Sequence, residues 1–100
     1  MDKYCLNLLC PPEAEERVLD LLLDSAEDRL FTSSLAFSHG ANHAQLSSLE
    51  QVMGRSKSAL VQVLATRNEL DALLSQLTAN CPGVGLRYWV TQVALEGEIK

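Results

Sequence analysis

The chain's two histidines, His39 and His43, stand four residues apart, a spacing that would stack two imidazoles on one helical face. Gly40 and Asn42 fall between them and disfavour a helix, so the pair is read as part of a loop. A loop pair can hold a borderline or soft cation such as Cu, Zn, Ni or Co when a thiolate completes the set. Cys10 or Cys81 would be that third ligand, and His39, His43 and Cys10 are taken as the candidate metal set. Two solvated loop histidines are the simpler account. Cys5 and Cys10 cannot chelate together, because five strand residues put them on opposite faces and roughly 17 Å apart. No CxxC is present.

Anion chemistry has two candidates. Gly83-Val84-Gly85, followed by Arg87, can turn backbone N–H groups toward a phosphate, although glycine also ends helices for geometry alone. Gly54-Arg55-Ser56-Lys57 is a short basic segment with a flexible glycine. It reads as an anion contact or, more simply, as a solvated loop edge. Gly54, Arg55, Gly83, Gly85 and Arg87 are therefore the candidate ligand-binding residues. There is no nucleophile with a positioned histidine and no working carboxylate pair, so no enzyme is expected.

The elements that must carry these residues follow from hydrophobic periodicity. Tyr4 to Cys10 is a short buried strand, ended by Pro11-Pro12, and a proline is tolerated in the first turn of the helix that follows, whose positive end carries Glu13, Glu15 and Glu16. Leu30 to Ser38 alternates as a half-buried strand. Ala59 to Ala65 is a third strand, and Leu70, Leu73, Leu74, Leu77 and Cys81 stripe a second helix, with Asn68 and Asp71 spaced as its start cap. Leu86 to Leu95 is the most β-prone run. An offset of 55 lays the first half's pattern on the second, so that Leu6-Asn7-Leu8-Leu9 falls on Val61-Gln62-Val63-Leu64.

This order, β-α-β twice over, predicts an α+β, ferredoxin-like fold in one domain spanning 1–100: a four-stranded antiparallel sheet with two helices on one face. Residues 38–58 form a connector much longer than the usual 4–6 residues. Strand parity leaves Cys5, Leu9, Leu60, Leu64, Ala36, Trp89 and Val93 on an uncovered face, which suits self-association. The topology also gathers Cys10-Pro11-Pro12, the connector and the Gly83–Gly85 loop at one end of the sheet, where a site is expected.

Composition narrows the partners. A net charge of −5 over 100 residues argues against nucleic acid. An RNA-recognition module also needs aromatic inner strands, and Leu6, Leu8, Val61 and Val63 stand there instead. No apolar run approaches the roughly 18–20 residues of a membrane span, and the N-terminal run is too brief for an export signal. With three scattered cysteines, a reducing cytoplasm is the expected setting.

The long connector, the Gly-x-Gly after the second helix and the open sheet face together resemble the PII and CutA superfamily. The strings YCLNLLCPP, FTSSLAFSHG, LSSLEQVMGR and GLRYWV resemble more closely a short PII-like bacterial family of uncharacterised function, often encoded beside heavy-metal efflux pumps. The resemblance implies a homotrimer and ligand clefts between subunits. It also implies a T-loop role for the connector, docking on a protein partner such as a membrane efflux or transport protein. Leu86 stands where PII proteins carry a phosphate-contacting lysine, and near the C-terminus only Lys100 is basic; both count against ATP binding in the PII manner. The expected function is ligand or metal sensing in heavy-metal homeostasis. A CutA-like metal-sequestering protein is the alternative, and a cofactor-free oxygenase of ferredoxin-like fold is a further one.

Overall fold

Among the described residues six elements follow one another: β1 (Lys3–Cys10), α1 (Pro12–Ser25), β2 (Phe31–His39), β3 (Arg55–Thr66), α2 (Arg67–Asn80) and β4 (Arg87–Val93). The structure is a computed structural model and describes residues 2–25, 30–39 and 55–100. The strands form one sheet in the order β2-β3-β1-β4, and every neighbouring pair is antiparallel. Among the described residues no helix is long and apolar enough to cross a membrane.

Helix α1 starts where the chain chemistry requires. Pro12 has no N–H to lose at the first helical position, and the Ala14 N–H closes the first turn onto the Pro11 carbonyl at 3.0 Å. Ala14, Val18 and Leu22, spaced by four, are buried. Helix α2 is capped two residues earlier than the Asn68–Asp71 spacing predicts. Thr66 accepts from the Glu69 N–H at 3.3 Å, while the Glu69 carboxylate accepts from the Thr66 N–H at 2.8 Å. This reciprocal capping box satisfies two N–H groups that the helix leaves without partners. Asn68 instead sits exposed in the first turn.

The internal repeat holds in three dimensions for the central strands and the helices, while the outer strands β2 and β4 correspond with an offset of 57, Phe31 to Tyr88. Helices α1 and α2 are each fourteen residues long, and their first residues are 55 apart. Asn7 and Gln62 are both equivalent under that offset and directly paired across β1 and β3. A pseudo-two-fold axis therefore passes between them.

The core lies between the two central strands and the helices: Leu6, Leu8, Val61 and Val63 are sealed against Val18, Leu22, Leu70, Leu73 and Leu77. The ladder confirms the predicted parity, since Leu6 pairs with Val63 and Val90, and Leu8 with Val61 and Tyr88. The helices cover only the central strands, however. Leu35 pairs with buried Ala59 yet is 68% exposed, and Tyr88 is 57% exposed.

Candidate functional site

Strands β1 and β2 finish, and β4 begins, at the same end of the sheet: Cys10 lies opposite Ala59, His39 opposite Arg55 and Arg87 opposite Leu9. This loop end is the one the sequence predicts. The connector's bounds change. Residues 38 and 39 belong to β2 and 55–58 to β3, so the strands extend as a two-stranded ribbon beyond the end of β1. Ser38 and Ser58, expected as the connector's limits, are joined hydroxyl to hydroxyl at 2.7 Å. The ribbon was illegible as strand because its Ser, Lys and Arg residues lack apolar alternation.

The Gly83–Gly85 turn is built by conformation. Gly83 has φ 73° and Gly85 φ 76°, a left-handed region that side-chain-bearing residues rarely occupy. The turn follows α2, whose last bond runs from the Cys81 N–H to the Leu77 carbonyl at 2.9 Å. It also meets the β1–α1 junction, since a Cβ on Gly85 would lie 3.9 Å from the Pro11 side chain. Val84 and Leu86 pack against the core and anchor the loop. Arg87 then starts β4, exposed, on the open face beside Leu9.

The metal candidates do not gather. Cys10 is fully buried and its Sγ faces the Leu8 carbonyl at 4.0 Å. Burial, with help from the charges of Glu15 and Cys81, pushes its thiol up to about 11, so a metal bound there would have to displace a more firmly held proton. Its ladder partner Ala59 is four positions from Arg55, the partner of His39. At about 3.3 Å per residue this puts His39 roughly 13 Å away along the strand. His39 lies exposed at the ribbon tip. His43 and Gly54 lie outside the described residues, and Arg55 is placed only by its ladder position. Among the described residues no three His, Cys, Asp or Glu side chains form a ligand set.

The open face also carries Asn7, which none of the candidate sites read from the sequence includes. It is 5% exposed, and its amide is fully engaged. Nδ2 donates to the Cys5 carbonyl at 3.2 Å and the Trp89 carbonyl at 3.3 Å, while Oδ1 accepts from Gln62 Nε2 at 3.0 Å. The Cys5 thiol also points at that oxygen, at 3.7 Å. Apolar side chains surround this polar knot, with Trp89 46% exposed among them.

The DUF3240 family, a protein family of unknown function, matches residues 1–100. The chain belongs to the DUF3240 family. A family member from Shewanella baltica shares the fold with a TM-score of 0.80 at 15% identity, covering 98% of this chain and 97% of that one. CutA1 from Pyrococcus horikoshii is similar with a TM-score of 0.70 at 11% identity, covering 95% and 87%. CPII, a nitrogen regulatory PII-like protein from Thiomonas intermedia K12 solved with ADP, AMP and bicarbonate, follows at 0.65 and 14%, covering 99% and 98%. No curated protein matches. At such identities the likeness concerns the fold. It bears out the PII and CutA resemblance and the ferredoxin-like architecture that the sequence predicts.

Proposed function

We propose that this DUF3240 protein is a self-associating, non-enzymatic regulator of the PII-like kind, which senses a small anion or a metal ion at its loop end and signals through residues 40–54. One observation carries the reading: the left-handed Gly83–Gly85 turn, seated on Pro11, delivers Arg87 to the rim where the connector's ribbon also roots. A Gly-x-Gly turn with an adjacent guanidinium suits an anionic ligand, the turn through backbone N–H groups and the arginine through charge. The CPII neighbour's adenine nucleotides and bicarbonate are ligands of that chemistry. Leu86 stands where PII proteins carry a phosphate-contacting lysine, which counts against ATP binding in the PII manner. The family resemblance supplies the remaining parts, namely a homotrimer, a membrane efflux or transport protein as the connector's partner, and heavy-metal homeostasis as the context, while the scattered cysteines favour a cytoplasmic setting.

Calorimetric titration of the full chain with ATP, ADP, AMP, bicarbonate, Cu, Zn, Ni and Co tests the proposal. A heat that saturates for one ligand and shrinks at least tenfold in affinity in Arg87→Gln supports the anion site. Silence from every ligand removes the sensing function. Saturation by a metal, lost in His39→Ala, would move the site from the glycine turn to the ribbon tip.

A further inference from the structure

Between the two helices, on the side of the sheet away from Arg87, runs a groove of about 550 Å³, a volume within the roughly 300–1,000 Å³ of small-ligand sites. Arg17, Leu21 and Asp24 of α1 form one wall, and Gln76 and Asn80 of α2 form the other. Leu21 packs on the core and gives an apolar floor, while the four polar side chains are exposed. The groove straddles the pseudo-two-fold axis, because the offset of 55 carries Leu21 onto Gln76. The same offset carries Arg17 onto Ala72 and Asp24 onto Ala79. The scaffold is duplicated but its charges are not: α1 alone brings a cation and an anion to the groove, and α2 brings amides.

Both charges lack compensation from their own helix. Glu13 stands four residues before Arg17 and Asp20 three after it, spacings that pair side chains along a helix. Arg67 uses such a spacing to reach Asp71 at 3.3 Å, whereas among the described residues Arg17 has no ion-pair partner. Asp24 falls in the last turn of α1, where the helix end is itself negative and no basic residue offsets it. Two helical turns, about 10 Å along the axis, separate Arg17 from Asp24.

We propose that this groove binds a short peptide of about three residues with both ends free. Its carboxylate meets Arg17, its ammonium meets Asp24, its main chain lies along Gln76 and Asn80, and its side chains rest over Leu21. Three extended residues span roughly 10 Å, the separation of the two charges, whereas a single amino acid falls short of it. The planar guanidinium matches a carboxylate through two parallel bonds. Asn80 is held in place for the main chain: its Nδ2 donates to the Gln76 carbonyl at 2.8 Å, which leaves its second N–H and its Oδ1 for a peptide group.

Calorimetric titration of the full chain with tri-alanine, and with its N-acetylated and C-amidated forms, tests the proposal. Saturable binding of tri-alanine is expected, at least tenfold weaker after either modification of the peptide. Arg17→Gln and Asp24→Asn should each weaken tri-alanine at least tenfold, with unchanged far-ultraviolet circular dichroism. Arg17→Gln should weaken the amidated peptide no further, nor Asp24→Asn the acetylated one, since in each case the same contact is already lost. Absence of binding, or full affinity retained by either variant or by either blocked peptide, would overturn the peptide site. The anion site on the other side of the sheet would stand or fall separately, by its own titration.

Discussion

Cys10 shows how burial decides what a reactive residue type can do. In sequence it stands beside two prolines at the loop end, a reasonable place for a metal thiolate. In the fold it closes β1 inside the core, with its thiol pushed up to about 11 from 9.0. The shift has a consequence for stability. Below about pH 9 the thiol is protonated in both the folded and the unfolded chain, and the neutral form's preference for the core is fully available. Between about 9 and 11 the unfolded chain loses this proton while the folded chain keeps it, so the unfolded state binds fewer protons and stability falls as pH rises. The slope from this group is at most about 1.4 kcal/mol per pH unit. Urea midpoints measured at pH 8 and 10.5 should therefore converge in Cys10→Ala relative to the parent chain. At pH 7 a thiol reagent should label Cys10 only at the rate of global unfolding.

The elements were legible wherever periodicity carried them. Val18 and Leu22 in α1, Leu70, Leu73 and Leu77 in α2, and the alternation through Leu6 and Leu8 or Val61 and Val63 predict two helices on one face of a sheet, and the buried residues are these. Ends were less legible, because caps and ladders depend on polar atoms whose geometry periodicity does not encode. Thr66 and Glu69 form the α2 capping box, whereas Asn68 and Asp71 have the spacing of one without the position. Asp71 instead accepts an exposed i,i+4 contact from Arg67 at 3.3 Å. Thr66→Ala should consequently cost about 1 kcal/mol in chemical denaturation, and Asn68→Ala should change the midpoint little. The geometry of the candidate site was legible to the same degree. The topology alone brings the Gly83–Gly85 turn to the end of β1, but the separation of His39 from Cys10 depends on the β2–β3 register and on the ribbon's length. No spacing in the sequence reports either.

At the scale of the whole molecule, the described residues put two fourteen-residue helices over a four-stranded sheet and leave one face and both edges without cover of their own, and the two kinds of surface invite contact differently. The edges offer the exposed Leu35 and Tyr88. The open face offers Trp89, Leu9, Leu60 and Leu64 around Asn7, whose amide is already engaged. Asn7 matters for partner choice, because a polar group whose bonds are already made can be dehydrated without being left unpaired. Trp89 is the probe that distinguishes face from edge. Its indole is on the open side, while its backbone carbonyl holds Asn7 whatever the side chain, so Trp89→Asp leaves the knot's backbone bond in place. If the face is buried between copies, the half of the indole now exposed contributes about 1–2 kcal/mol to association. Trp89→Asp should then raise the assembly concentration about tenfold, with thermal unfolding of the isolated chain lowered by only a few degrees. Equal assembly of variant and parent in sedimentation would confine the contact to the edges and leave the open face for the connector's partner.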